Sequence, residues 1–437
     1  MLISQTPIPP RGWNSYDSYG VYINEEQALA NLEAFIEKLQ PAGYEYFVLD
    51  ACWYADGDFM DNYRALKEGR ERFMHIDEWG RFIGSPRTFP RGLRYLSDRC
   101  HEAGVRFGLH LMRGLPARAL ELNPPVKGHP SARALDIADP ENSCVWCAYT
   151  KGIRMDAPGA QEYYDSVAEY FAEDLCLDFV KFDDAVDYPR EIEAFAQALD
   201  KVDRPILLSL SPGQEAFPGN WDLYARFGNM LRITGDVWDR DHYNDMKFDR
   251  WALFENFGGP KCWLDLDMIP LGGIQAHVPE GTAPEYQPVL GCRRRSDMSE
   301  TGKKVMMTQL ALAASPLIYG GDLPMSTEED IAWVTDPDML ECNANGVVGK
   351  RIFHQRHLDV RRAEKKGSEG RHGWIGIFNR EDSHGVRHCS VTPEELGFAG
   401  GFPERLYDVW GKQVVRPDSS GILSFPLEAK DVLFLSY

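Results

Sequence analysis

Short apolar runs alternate with amphipathic stretches over roughly the first 320 residues, and no other feature limits the fold of this chain as strongly. Eight runs read as strands: "RGWNSY" (11–16), "YEYFVLD" (44–50), "VRFGLHLM" (105–112), "LDFVKFD" (177–183), "RPILLSLS" (204–211), "NMLRITGD" (229–236), "KCWLDLDM" (261–268) and "SPLIYGGD" (315–322). Between them lie helical patterns such as "NEEQALANLEAFIEKLQPAG" and "PREIEAFAQALDKV", charged on one face and apolar on the other. Strand–helix alternation implies parallel pairing, and eight such units predict an α/β fold of the (β/α)8 TIM-barrel type. A doubly wound sheet is the competitor, and it is disfavoured because no G-x-G-x-x-G follows the first strand.

Beyond about Asn345 the pattern changes. "GWIGIFNR", "GVRHCSVT", "ERLYDVWGKQVV", "GILSFPLE" and "DVLFLSY" are short strand-like runs split by turn residues. They predict a C-terminal antiparallel β-sandwich over 346–437, after a catalytic barrel over 1–345. A stretch at about 113–161, rich in Pro, Arg and Gly, is long for a connection and is expected to form an elaborated loop in the wall of the site.

Charge and cysteines narrow the partners. Lys plus Arg (47) against Asp plus Glu (67) leaves a net charge of −20. An acidic surface argues against nucleic acid and anionic membranes, and no apolar run is long enough for a membrane helix. The nine cysteines are scattered, and Cys144 with Cys147 lacks the second pair a zinc site needs. Reduced thiols and the lack of a signal-like N-terminus give the expectation of a cytoplasmic protein. A homo-oligomer stays open.

In barrel enzymes the reacting groups stand where strands end. Here those ends carry Asp50, His110, Lys181, Asp183, Asp184, Arg232, Asp236, Asp265, Asp267 and Asp322. Alternation puts Lys181 on the face of Asp183, and Arg232 on the face of Thr234 and Asp236. A nearby cation keeps a carboxylate ionised, which suits a nucleophile, and two carboxylates across a barrel mouth suit glycosidic cleavage. Aspartates at βα junctions also cap helices, and Asp184, of opposite parity, is assigned to that scaffold role. A metal held by Asp50, His110, Asp183 and Asp265 is disfavoured because Lys181 and Arg232 would repel it. No metal or cofactor is expected.

Seven motifs then stand in one order: "GWNSYDSYG", "AGYEYFVLDACW", "FPRGLRYLSDRCHEAGVRFGLH", "DFVKFDDA", "LRITGD", "LDLDMIPLG" and "MTQLALAASPLIYGGDL". Together the chain resembles glycoside hydrolase family 27, the α-galactosidases and α-N-acetylgalactosaminidases. The resemblance implies a retaining exo-glycosidase with Asp183 as nucleophile and Asp236 as general acid/base. It implies Lys181 and Arg232 as hydroxyl-binding cations, Trp13 as an aromatic wall, and Asp50, His110, Ser211 and Asp267 as further substrate contacts.

Three positions depart from the family pattern. The aspartate pair that grips the 4- and 6-hydroxyls is Asp50–Ala51, a usual tyrosine is His110, and Ser211 stands where α-galactosidases place glutamate. Serine there resembles the N-acetylgalactosaminidase branch, and His110, Arg113 and Trp146 are candidates to replace lost contacts. The expected substrate is a terminal α-galactoside-like or α-N-acetylgalactosaminide-like residue. A β-L-arabinopyranoside or α-glucoside specificity, or a catalytically silent carbohydrate binder, is the alternative.

Overall fold

The computed structural model describes residues 6–56, 74–145, 149–278, 292–355, 357–382 and 385–437. Eight parallel strands form one sheet: β1 (Arg11–Asn14), β2 (Tyr46–Leu49), β3 (Arg106–Met112), β4 (Phe179–Asp183), β5 (Leu207–Leu210), β6 (Met230–Arg232), β7 (Trp263–Asp265) and β8 (Leu317–Tyr319). Each pairs with its sequence neighbour, and β1 pairs with β8. The remaining gap closes just past β7, where Ile269 N–H donates to Ile318 O (2.8 Å) and Gly320 N–H to Ile269 O (3.0 Å). The sheet is a closed barrel, as the strand–helix alternation predicts.

Parity sorts every strand into two environments. Tyr46, Val48, Phe179, Leu207, Met230 and Trp263 fill the barrel interior as one cluster. That plug leaves no room beside Tyr46, and a Cβ on Gly12 would lie 2.5 Å from Tyr46 O. The opposite faces meet the helices. Phe47 stacks on Trp13 (4.5 Å between ring centroids) and meets the edge of Phe35 on α1 (Glu25–Lys38). That helix starts at a reciprocal cap, with Asn24 accepting from Gln27 N and Gln27 accepting from Asn24 N. No described helix is long and apolar enough to cross a membrane.

The C-terminal strands are antiparallel. A six-stranded sheet holds β9 (Lys350–Gln355), β10 (Leu358–Glu364), β11 (Gly373–Asn379), β13 (Leu406–Asp408), β14 (Gln413–Val415) and β16 (Val432–Ser436). Two more strands, β12 (Val386–Val391) and β15 (Leu423–Glu428), pair separately. Ile375, Ile377, Leu433 and Leu435 from the large sheet and Cys389, Val391, Leu423 and Leu427 from the small one share an apolar core. Trp374, Phe378 and Phe434, of opposite parity, join the barrel's core instead.

The stretch at about 113–161 is more ordered than a loop. Leu115–Pro116, Ala138–Ser143 and Thr150–Ile153 form a three-stranded antiparallel sheet, with short helices at Ala117–Leu122 and Ala134–Ile137. Its apolar residues Leu115, Ile137 and Ile153 are buried in the main core, which is why the segment folds back. Trp146 and Cys147 lie outside the described residues.

Candidate active site

The last residues of β4 set the geometry. Lys181 and Asp183 point inward together, and Asp184 is turned away by a left-handed backbone (φ 56°), a conformation aspartate tolerates better than most residues. Lys181 Nζ lies 2.9 Å from Asp50 Oδ2 and 3.7 Å from Asp183 Oδ2. The lysine therefore bridges two carboxylates and sits where a metal held by Asp50 and Asp183 would have to sit. Asp50 also accepts from Asn14 Nδ2 (2.8 Å) and Ala51 N (2.9 Å). Asp183 accepts from Asp184 N (3.1 Å) and from His110 Nε2 (3.1 Å).

His110, expected to meet substrate, is buried beside the end of β4. Its Nε2 faces Asp183 and its Nδ1 is buried without a partner. The ring therefore packs against the carboxylate of Asp183. Arg113 likewise braces the scaffold. Its N–H donates to Asp183 O (3.0 Å), its Nε to Asp184 O (2.8 Å), and its Nη atoms to Glu191 (2.9 Å) and Asn142 (2.9 Å). One buried guanidinium thus ties the β4 end to the 113–161 segment, while Asp184 caps no helix side and pairs with Arg113 at 2.9 Å.

Across the mouth, Arg232 ends β6. Its Nη2 is 2.9 Å from Asp236 Oδ1 and its Nη1 is 3.2 Å from Asp267 Oδ1. Asp236 is the open group of the site, with its side chain 66% exposed. Asp267 is buried, and its other oxygen accepts from Val237 N (2.7 Å). Its two oxygens thus tie it to Arg232 and to the segment that carries Asp236. Ser211 Oγ and Thr234 Oγ1, on inward positions past β5 and β6, are buried without partners.

Trp13 is a correction. It is 0% exposed, its ring stacks on Phe47 on the helix side, and its Nε1 donates to Gly321 O (2.8 Å). It offers no face to a sugar. Tyr16, two residues past β1, stands at the mouth instead, with Lys181 Nζ 5.9 Å from its ring centre and Trp238 at 6.3 Å. The spacing of aromatics in "GWNSYDSYG" contained this residue, but the turn after β1 hides which ring faces the axis.

Charge follows burial. Burial pushes Asp183 upward, but Lys181, His110 and Arg232 together hold its carboxyl well below the usual range. The same balance lowers Asp50, with Lys181 as the largest favourable partner. For Asp265 the balance runs the other way: burial and the adjacent Asp267 carboxylate outweigh the Asp267 N–H, Arg232 and Lys181 and push it up to about 7. Burial raises Asp184 to about 6 despite Arg113. Burial pulls Arg232 and Lys181 downward, yet the surrounding carboxylates, Asp267 and Asp236 for the arginine and Asp50 and Asp183 for the lysine, hold both above their ordinary values. Among the described residues no cluster of three or more His, Cys, Asp or Glu has the arrangement of a metal site.

The chain is similar to solved barrel glycosidases along its whole length. A β-L-arabinopyranosidase of glycoside hydrolase family 27 from Geobacillus stearothermophilus, solved in complex with arabinose, superposes with a TM-score of 0.87. It is 30% identical and covers 99% of this chain, and 97% of its own chain is matched. The chain belongs to glycoside hydrolase family 27. It is a glycosidase.

A putative α-N-acetylgalactosaminidase from Bacillus halodurans C-125 superposes with a TM-score of 0.82 at 28% identity, covering 100% of this chain and 99% of that one. In sequence, α-galactosidase A of Cellvibrio japonicus is 24% identical over 392 residues, 86% of this chain and 76% of that protein. No family model matches the chain. Family membership agrees with the seven ordered motifs.

Proposed function

We propose that the protein is a retaining exo-glycosidase in which Asp183 is the nucleophile and Asp236 the general acid/base. The observation that carries this reading is the unlike setting of two carboxylates around one guanidinium. Asp183 is buried and held ionised, whereas Asp236 is open to water and tethered to Arg232. In the first half-reaction an Asp183 oxygen bonds to the anomeric carbon, the bond to the aglycone oxygen breaks, and Asp236 gives that oxygen its proton. In the second, water bonds to the anomeric carbon, the Asp183 ester bond breaks, and the water's proton passes to Asp236. Lys181 and Asp50 hold adjacent sugar hydroxyls, and Tyr16 covers an apolar sugar face.

For the sugar, a galacto-configured pyranose without a 6-hydroxymethyl group fits best. Asp50 supplies a buried carboxylate for an axial hydroxyl, and Ala51 supplies nothing for a sixth carbon. A β-L-arabinopyranoside is an α-D-galactopyranoside without that carbon, and the Geobacillus relative's name points the same way. A second reading, an α-N-acetylgalactosaminide, is favoured by the partnerless Ser211 Oγ and the space a small residue leaves. Aryl glycosides of L-arabinopyranose, galactose, N-acetylgalactosamine and glucose, compared by kcat/KM, test both. The arabinopyranoside is expected to lead, and a lead for N-acetylgalactosamine reverses the assignment. An intracellular setting belongs to the same proposal, supported by Cys52, Cys100, Cys176, Cys262, Cys292, Cys342 and Cys389, each a free thiol.

A further inference from the structure

We infer that His110 is a positioning residue for the second half of the reaction: its Nε2–H donates to Asp183 Oδ2 and makes that carboxylate a better leaving group. This rests on the reading of Asp183 as nucleophile.

Three observations converge on it. First, the contact is direct and walled in, because His110 Nε2 stands 3.1 Å from Asp183 Oδ2 and the histidine is 1% exposed. Second, the ring has one working nitrogen. Nδ1 is buried with no partner, and the ionised carboxylate can only accept, so Nε2 carries the hydrogen. Third, the neighbouring lysine is committed elsewhere. Lys181 Nζ is 2.9 Å from Asp50 and 3.7 Å from Asp183, so His110 makes the one hydrogen bond to Oδ2 among the described residues. The ladder fixes the ring. His110 pairs with Lys181 and Met112 with Asp183 across β3 and β4, and His110 O accepts from Trp53 Nε1 at 2.8 Å.

The chemical consequence differs between the two half-reactions. A donor on Oδ2 stabilises the free carboxylate more than the glycosyl ester, because the ester carries less charge. While Asp183 attacks, that stabilisation holds back the nucleophile. When water displaces Asp183, the electron pair of the breaking bond returns to the carboxylate and the donor aids departure. Removal of the donor therefore slows deglycosylation and spares glycosylation.

The test is rapid mixing of wild type, His110→Phe and His110→Gln with a dinitrophenyl glycoside of the preferred sugar, followed by acid quench and peptide mass mapping. In His110→Phe, kcat is expected to fall about 10–100-fold, the range of a hydrogen bond to a charged group. KM falls in parallel, and kcat/KM changes little because the first half-reaction survives. A burst of about one phenol per site appears, with the sugar on the peptide that contains Asp183. His110→Gln, which keeps an N–H at similar reach, restores turnover and abolishes the burst. If the Phe variant does not fold, His110→Asn, whose amide falls short of Asp183, is expected to show the same burst. A fall in kcat/KM equal to the fall in kcat, with no burst, overturns the role of His110. Sugar found on a peptide without Asp183 overturns the nucleophile assignment instead, so the two failures are distinct.

Discussion

Lys181 bonds more closely to Asp50 than to Asp183, at 2.9 Å against 3.7 Å. The lysine is thus shared between Asp50, just past β2, and the proposed nucleophile Asp183 at the end of β4. Its loss affects both.

Lys181→Met leaves Asp50 buried with its charge uncompensated. The expected cost is about 3–5 kcal/mol, read as a lower urea midpoint at unchanged slope. The folded-state pKa values of Asp50 and Asp183 lie below their unfolded values. Their contribution is therefore present above about pH 4 and is lost as pH falls toward the folded values. The deficit of the variant should be largest at neutral pH and should shrink below about pH 4. An equal deficit at pH 7 and pH 3.5 would show that the lysine acts by packing.

Asp265 behaves oppositely. Its carboxyl is pushed up to about 7 by burial and Asp267, so the folded state binds the proton more tightly than the unfolded one. Between about pH 4 and pH 7 the native protein holds more protons, and stability falls as pH rises. Asp265→Asn removes that penalty and keeps an oxygen for Asp267 N–H (2.8 Å). The variant is expected to gain more stability over wild type at pH 8 than at pH 4.5, and a gain independent of pH would contradict the assignment.

Tyr16 is expected to bind rather than react. Tyr16→Ala should raise KM by about 10-fold, a loss of one aromatic contact, with a smaller change in kcat. A kcat loss larger than the KM change would place the ring in the chemistry. Trp13→Phe, by contrast, should lower thermal stability and leave KM near the wild-type value, because Trp13 is sealed against Phe47.

Ala51→Asp should move the ratio of kcat/KM for galactoside over arabinopyranoside upward by about 10-fold or more, since a hydroxyl-binding group discriminates by the hydroxyl it satisfies. An unchanged ratio would remove position 51 from sugar selection.

Much of this architecture was legible in the residues. All eight barrel strands fall inside the apolar runs, from Arg11–Asn14 to Leu317–Tyr319, because strands buried on both faces read as continuous apolar segments. Parity placed Lys181 with Asp183, because side chains two apart on a strand share a face, whereas Asp236 lies past the end of β6 and meets Arg232 through the turn that follows. Partner choice was not legible. Alternation says that His110 points inward but not that its nearest group is Asp183, since that depends on the stagger of β3 against β4. Trp13 was misplaced because it lies on the opposite parity to Asn14, whose side chain reaches Asp50; the aromatic that does reach the mouth comes after the strand has ended. The sheet within 113–161 was hidden because strands of two to six residues carry too little periodicity to register.

The central claim is double displacement by Asp183 and Asp236. Its most direct test is proton NMR of the anomeric signal during hydrolysis of the preferred aryl glycoside. The account predicts that the first-formed free sugar has the anomeric configuration of the substrate and only later mutarotates. First appearance of the opposite anomer would contradict it.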